Sequence, residues 1–508
     1  MRKTFLSIIL LSVACITFAS SKREMRAAWI ATVANIDWPG KDAVGNTELQ
    51  KQEMIDILDS LQALHLNTII FQIRPTADAL YSSPYEPWSS WLTGRQGVPP
   101  TPYYDPLEFV IYEAHKRCLD VHVWLNPYRA TSVFNISDIA PNHIYNQHPE
   151  WFIHYGDKYY FDPSLNETRD WLNKIVADIV TRYDVDAIHF DDYFYPYKVK
   201  GQDFPDNKSF KNNPRGFTDK DDWRRDNVNL VIQQLQTTIK SIKPWVEFGI
   251  SPFGVWRNEA KDPVRGSKTT AGVQNYDDLY ADILLWLEKG WIDYVMPQLY
   301  WEIGKKAADY EILLNWWAEY SYHKNLYIGV FASQLGKGRP ESGWQKPNEI
   351  CRQLRMLRKK PEVDGISFYS SIGGLLPNKL GTCDSLRSNL FSDYALVPQN
   401  RNIKPQGESL APENVFYLTT PYPHLEWDKV GNARQYVVYA FDVNKPFYNT
   451  NDAHNILAIT SDNKLDLSKY HLPEETVFFV TSVNRYKIES QLSQPAYTPD
   501  NMHLIISK

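Results

Sequence analysis

At 508 residues, with 43% hydrophobic and 22% charged side chains, the chain has room for two or three globular domains of ordinary composition. A formal net charge of −6 leaves no basic surplus to neutralise phosphates, which argues against nucleic acid as a partner. Seventeen Trp and 32 Tyr are many for this length. They suit either a large core with aromatic-capped loops or a cleft in which flat rings stack on the C–H faces of pyranoses.

The chain opens with a targeting pattern. Arg2 and Lys3 precede a short apolar stretch over 5–18, and Thr17-Phe18-Ala19 fits a small-x-small cleavage site, so residues 1–19 read as a signal peptide. The stretch falls short of the roughly 20 residues that span a bilayer. Ser12-Val13-Ala14-Cys15 is also a loose bacterial lipoprotein signal, with Ser where Leu is usual. Two outcomes stand open: secretion across the inner membrane into the periplasm, or a lipid anchor through Cys15 that holds the protein at the outer membrane. Beyond the leader only Cys118, Cys351 and Cys383 remain, with no CxxC, so neither a disulfide framework nor a zinc site is indicated. One disulfide stays open; no metal and no cofactor are implied.

From residue 24 to 392 short apolar runs alternate with helical patterns. The runs are 26–33, 67–74, 121–126, 187–191, 246–252, 294–300, 326–331 and 365–369; the amphipathic stretches are 48–64, 106–117, 167–182, 223–242, 276–289, 311–322 and 348–358. Alternation of this kind predicts an α/β fold with a parallel sheet, and eight strands in this length predict a closed (β/α)8 TIM barrel. No GxGxxG or GxxxxGK[ST] follows an early strand, which weakens dinucleotide and P-loop alternatives. The βα connections 75–105, 127–162, 193–222 and 253–275 are long, whereas the αβ turns at His65-Leu66 and Asp184-Val185 are short. Long loops on one face are how a barrel carries a cleft. Residues 393–412 turn to Pro, Gln, Asn and Ser and read as a linker. Over 413–500 the pattern alternates like half-buried strands, predicting a small all-β sandwich. There Trp427, Tyr436, Tyr439 and the run 478–484 resemble a fibronectin type III module.

Keeping one parity of each predicted barrel strand gives Ile70, Gln72, Arg74; His122, Trp124, Asn126; Ala187, His189, Asp191; Met296, Gln298, Tyr300; and Ser367, Tyr369. Polar members gather at the carboxyl ends, and burying them there is costly unless they pair or face a ligand. The sharpest feature is Asp191-Asp192, closing the fourth strand. Two carboxylates this close cannot both ionise easily, so one is kept protonated and can donate, as glycosidic cleavage requires. Adjacent acids after a strand also cap turns or hold a structural cation, and that reading stays open. The seventh strand ends Gly329-Val330-Phe331-Ala332-Ser333-Gln334 without an acid, where many retaining barrel glycosidases keep a nucleophile. This leaves inversion through a water, or a nucleophile supplied by the substrate's own 2-acetamido group. Glu302 is the candidate second acid or base for inversion. Asp162 is another carboxylate within possible reach of the mouth. Adjacent carboxylates after strand four resemble several substrate-assisted hexosaminidases, and by that resemblance Asp191 orients the acetamido group while Asp192 protonates.

Arg26-Ala27-Ala28-Trp29-Ile30, Gln72-Ile73-Arg74-Pro75, Leu125-Asn126-Pro127-Tyr128-Arg129, Phe161-Asp162-Pro163, the run 189–196 and Met296-Pro297-Gln298-Leu299-Tyr300-Trp301 together resemble the bacterial glycosyl-hydrolase-like family 10 proteins. The resemblance spans the barrel in order. It implies a glycoside-hydrolase fold and a β-1,4-linked polymer of N-acetylated amino sugars as partner, such as peptidoglycan strands lacking stem peptides. On that reading Arg74, Asn126 and Gln298 bond sugar hydroxyl, acetamido or lactyl groups, and Tyr300 holds the acetamido oxygen. Trp301 and Trp38 are candidate stacking platforms. Competing readings are a catalytically silent glycan-binding envelope protein and a hydrolase of a non-acetylated polysaccharide.

Overall fold

The computed structural model of the protein describes residues 21–131, 136–445 and 447–498. The expected leader 1–19 and Cys15 lie outside them. Eight parallel strands close into a barrel in chain order: β1 (Met25–Ile30), β2 (Thr68–Arg74), β3 (Asp120–Leu125), β4 (Ala187–Phe190), β5 (Glu247–Ile250), β6 (Tyr294–Val295), β7 (Asn325–Val330) and β8 (Val363–Phe368), with β8 pairing back onto β1. The predicted TIM barrel is the fold of the protein. Its expected strand parity is also present. Ala27, Trp29, Ile70, Trp124, Ala187, Tyr294 and Met296 fill the interior. The opposite parity, with Ile69, Phe71, Val123, Ile188, Phe190 and Val295, packs under the helices. Interior space is tight: a Cβ on Gly249 would stand 1.9 Å from the Tyr294 ring, so glycine alone lets that ring cross β5.

Three of the long helices begin where the sequence supplies acceptors for their first N–H groups. Asn46 accepts from Leu49 at the start of Thr47–Ala63, Asp105 from Leu107 and Glu108 at the start of Pro106–Lys116, and Asp219 from Asp221 and Asp222 at the start of Lys220–Ile242. Three departures from the sequence pattern have local causes. The apolar run 294–300 forms a ladder only over Tyr294–Val295, because Pro297 has no N–H to donate; single bridges at Gln298 continue the wall. The helical pattern 276–289 is divided into Asn275–Asp278 and Ile283–Lys289, with Tyr280 at φ 54° between them. Inside the loop 127–162 a hairpin pairs Phe152–Tyr155 with Lys158–Phe161 across Gly156 at φ 63°. Cys118, Cys351 and Cys383 are free thiols, so the disulfide left open by the sequence is not formed.

The segment read as a linker is pinned rather than loose. Leu396 exchanges backbone hydrogen bonds with Lys22 and Glu24, Val397 closes the base of the interior cluster, and Arg401 pairs with Asp364 at 2.6 Å. Beyond it a three-stranded and a four-stranded antiparallel sheet share one core built on Leu425, Trp427, Tyr436, Val438, Phe478 and Val480. This module docks on the amino-terminal ends of the barrel strands, where Lys487 meets Asp120 and Arg485 meets Asp184. Among the described residues, the polar contacts of the module with the barrel gather at this end, away from the carboxyl-terminal face.

Candidate active site

The carboxyl end of β4 delivers Asp191 and Asp192 into the barrel mouth, 3% and 4% exposed. Asp191 continues the inward parity of β4, so its carboxylate lands among residues from β3. Trp124 Nε1 donates to Oδ2 at 2.9 Å, the Asn126 amide reaches both oxygens at 3.4 Å, and the Tyr193 N–H donates to Oδ1 at 3.2 Å. Asp192 is held by the Tyr197 hydroxyl and by Gln298 Nε2 at 3.2 Å; Gln298 is itself fixed by donating to the Ser251 carbonyl at 2.9 Å. Burial and then the charge of Asp192 push the Asp191 carboxyl up to about 7, against the field of Arg129 and the donors around it. Burial raises Asp192 as well, opposed by Tyr197 and Gln298. The pair therefore retains a proton near neutral pH.

Beneath the pair the floor is neutral. His122 and His189 both bond the Tyr294 hydroxyl, at 2.8 and 2.7 Å; burial holds His122 down to about 3 and His189 well below its ordinary value. One phenol has one proton, so Tyr294 donates to one ring and accepts from the other. Trp29 packs edge-on against Trp124 and His189, each at 4.9 Å, which locks the indole that donates to Asp191. Above the pair, Tyr300 stacks on Phe331 at 4.9 Å and leans on Tyr369 at 5.7 Å. The Tyr300 hydroxyl makes no hydrogen bond to the protein among the described residues, and it is near enough to feel the charge of both acids. Trp301, beside Phe253 at 5.3 Å, lines the rim.

Of the residues singled out from the sequence, Asp191, Asp192, Asn126, Gln298, Tyr300 and Trp301 gather at this mouth. Asn126 and Gln298 are found orienting the acids. Four others are placed differently. Arg74 is wholly buried and bidentate to Glu86, at 2.7 and 2.6 Å, so it tethers the loop after β2 instead of facing a sugar. Trp38 is buried in the outer core, its indole N–H on the Gln50 carbonyl at 2.9 Å, and presents no free face for stacking. Asp162 accepts from Ser164 and Ser209, at 2.6 Å from each hydroxyl, as a turn-capping group. Glu302 lies in a cavity of about 580 Å³ that opens beside the mouth, lined on one side by Tyr300, Trp301 and Phe331 and on the other by Trp344 and Arg339. Burial would raise it, but the Ser342 hydroxyl, the N–H groups of Gly343 and Trp344, and Lys305 outweigh that and hold it below the usual carboxylate range.

Sequence reasoning missed the roles of Trp124, Tyr197 and Arg129. Trp124 was visible in the inward parity set, and Tyr197 follows directly on the aromatic run after the pair. Arg129 ends the Asn-Pro-Tyr-Arg run after β3, yet nothing local shows that the chain folds it back toward the acids.

A closed parallel barrel with carboxylates at the carboxyl end of its fourth strand is a glycoside-hydrolase-like architecture. The chain belongs to the glycosyl hydrolase-like 10 family, whose model matches residues 24–345. It is 42% identical over 500 residues, covering 95% of each chain, to glycosyl hydrolase YngK of Bacillus subtilis (strain 168). To glycosyl hydrolase DigH of Escherichia coli (strain K12) it is 40% identical over 374 residues, covering 70% of this chain and 84% of that protein. Among solved structures it is similar to the PgaB (BpsB) glycoside hydrolase domain of Bordetella bronchiseptica, with 12% identity, 72% and 98% coverage and a TM-score of 0.44. A second, α-L-fucosidase isoenzyme 2 of Paenibacillus thiaminolyticus, gives 12% identity, 72% and 49% coverage and a TM-score of 0.45.

Proposed function

We propose that the protein hydrolyses glycosidic bonds in a glycan of N-acetylated amino sugars, such as peptidoglycan strands stripped of stem peptides, with Asp191 and Asp192 as its working carboxylates. The observation that carries this reading is the pair itself: two buried acids, one proton between them, at the mouth of the barrel and under the Tyr300 phenol. Cleavage needs a proton for the departing glycosidic oxygen and relief of the positive charge growing at the anomeric carbon. Asp192 donates that proton. Asp191, fixed by Trp124 and Asn126, orients the 2-acetamido group so that its carbonyl oxygen attacks the anomeric carbon and the glycosidic bond breaks. A water, deprotonated by Asp192, then opens the cyclic intermediate. Inversion would require Glu302 as base, but its oxygens are already engaged by Ser342 and neighbouring N–H groups, which favours participation by the substrate.

In the same reading residues 1–19 export the chain, with or without an anchor at Cys15, and so place it in the envelope where such strands occur. The paired sheets after residue 412 have the strand number of a fibronectin type III module and serve as a fixed foot for the barrel. The test is direct. Purified protein incubated with denuded glycan strands should release new reducing ends, and Asp192→Asn should slow release by roughly a thousandfold while glycan binding persists. N-deacetylated strands should be cleaved far more slowly than acetylated ones. An Asp192→Asn protein as fast as its parent would remove the acid assignment, and binding with no new reducing ends would make the barrel a glycan receptor.

A further inference from the structure

The protein pairs its buried arginines with carboxylates: Arg26 with Glu24 at 2.8 Å, Arg74 with Glu86 at 2.6 Å and Arg224 with Asp206 at 2.6 Å. Arg129, half-buried at the barrel mouth, has no such carboxylate bonded to it among the described residues. Its guanidinium lies over the Tyr193 ring, 4.5 Å from the centroid, and is in no ion pair among the described residues. Its Nε–H is buried without a hydrogen-bond partner. Its backbone is held: the Arg129 N–H donates to Asn126 Oδ1 at 2.8 Å, and Asn126 is the residue whose amide touches Asp191. A bridge to Tyr160 fixes the chain from the other side. The guanidinium is thus preset beside the acid pair, near enough that its charge acts on both. Tyr193, 36% exposed, opens the same spot to solvent.

We propose that Arg129, backed by the Tyr193 ring, is a binding position for a carboxylate carried by the substrate, such as the lactyl acid on O3 of an amino sugar. The inference rests on the glycan reading and narrows it to acidic amino sugars. A planar guanidinium over an aromatic face keeps its in-plane N–H groups available, and these match a carboxylate two to two. A buried N–H left without a partner is unfavourable, and a ligand oxygen relieves it. A neutral hydroxyl could accept one such bond, but it would leave the second N–H of the fork unmatched.

The experiment uses the full chain carrying Asp192→Asn, so that bound glycan is not consumed. Calorimetry compares oligomers of N-acetylglucosamine with oligomers of equal length in which alternate sugars carry the O3 lactyl acid. The acidic oligomer should bind on the order of tenfold tighter or more. Adding Arg129→Ala should erase that preference with only a small loss for the neutral oligomer, and Arg129→Lys should restore part of it, keeping the charge without the fork. Equal affinity of the parent for both oligomers would overturn the proposal, as would equal weakening of both by Arg129→Ala. An Arg129-dependent preference in a protein that releases no reducing ends would uphold this site and sink the hydrolytic reading, so the two fail separately.

Discussion

Asp191 sits between donors that favour its charged form and a buried setting, with a second carboxylate beside it, that opposes it, and the opposition wins. Its pKa stands at about 7 against an ordinary 3.8, so the folded protein keeps a proton that the unfolded chain would release. The sign follows. This group contributes most to stability below about pH 4, and the contribution is lost as pH rises toward 7, because ionisation then has to occur in a buried site. Asp191→Asn removes the ionisation. The variant should therefore be more stable than its parent by a few kcal/mol at pH 8 and nearly equal to it at pH 4, while losing turnover. Urea denaturation at the two pH values measures this, and a pH-independent difference would contradict it. Activity obeys the same proton. The rate of reducing-end release should fall above about pH 7, as the shared proton is lost. Tyr197→Phe, which removes a donor to Asp192, should move that limb to higher pH, since the carboxylate loses a group that stabilises its charge.

At the scale of elements, the barrel was legible because all eight strands announce themselves as apolar runs, and five of them a second time through polar residues gathered at one end. The acid pair was legible for the same reason, since the inward parity of β4 leads straight to Asp191. What stayed hidden depends on partners brought in by the long loops. Arg74 has the inward parity of a ligand-facing residue, yet Glu86, in the loop after β2, folds back to take its guanidinium; no periodicity reports such a closure. Trp38 likewise looks like any loop tryptophan until helix Thr47–Ala63 supplies the Gln50 carbonyl. The hairpin Phe152–Phe161 escaped because its Tyr, His, Gly, Asp and Lys residues suit a loop as readily as a strand. The ion pair carries a prediction of its own. Arg74→Met leaves Glu86 buried and uncompensated and should cost about 3–5 kcal/mol in denaturant unfolding. Protein that remains folded should keep the parental KM, because Arg74 faces no substrate. A raised KM with unchanged stability would return Arg74 to the binding site.

The molecule as a whole is closed at one end by its own C-terminal module. Asp120 opens β3, Glu247 opens β5 and Asp186 precedes β4, so three acids converge where the barrel strands begin. Lys487 enters among them, bonded to Asp120 and raised in pKa because the attraction of Asp120, Asp186 and Glu247 outweighs its own burial. His115 and Arg434 pair with Asp186 from the sides, and Asn400 donates to Glu247 at 2.8 Å. Burial raises Glu247 to about 7 from 4.5 in spite of Lys487. Its stabilising effect is complete below about pH 4.5 and declines as pH climbs to 7, whereas the effect of Lys487 persists until its own raised pKa is passed. Lys487→Met should therefore destabilise the protein by about 3–5 kcal/mol at pH 8, where Asp120 and Glu247 both lose a cation that compensates them, and by less at pH 5, where Glu247 holds its proton. Glu247→Gln should act the other way, adding up to about 3 kcal/mol at pH 8 and nothing below pH 4.5. Because the contact lies at the end of the barrel opposite Asp191, neither substitution should change the pH at which reducing-end release begins to fall. Unfolding curves at pH 5 and pH 8 decide the matter. A Lys487→Met loss that is equal at both would mean that the lysine acts through Asp120 or its aliphatic stem and not through Glu247.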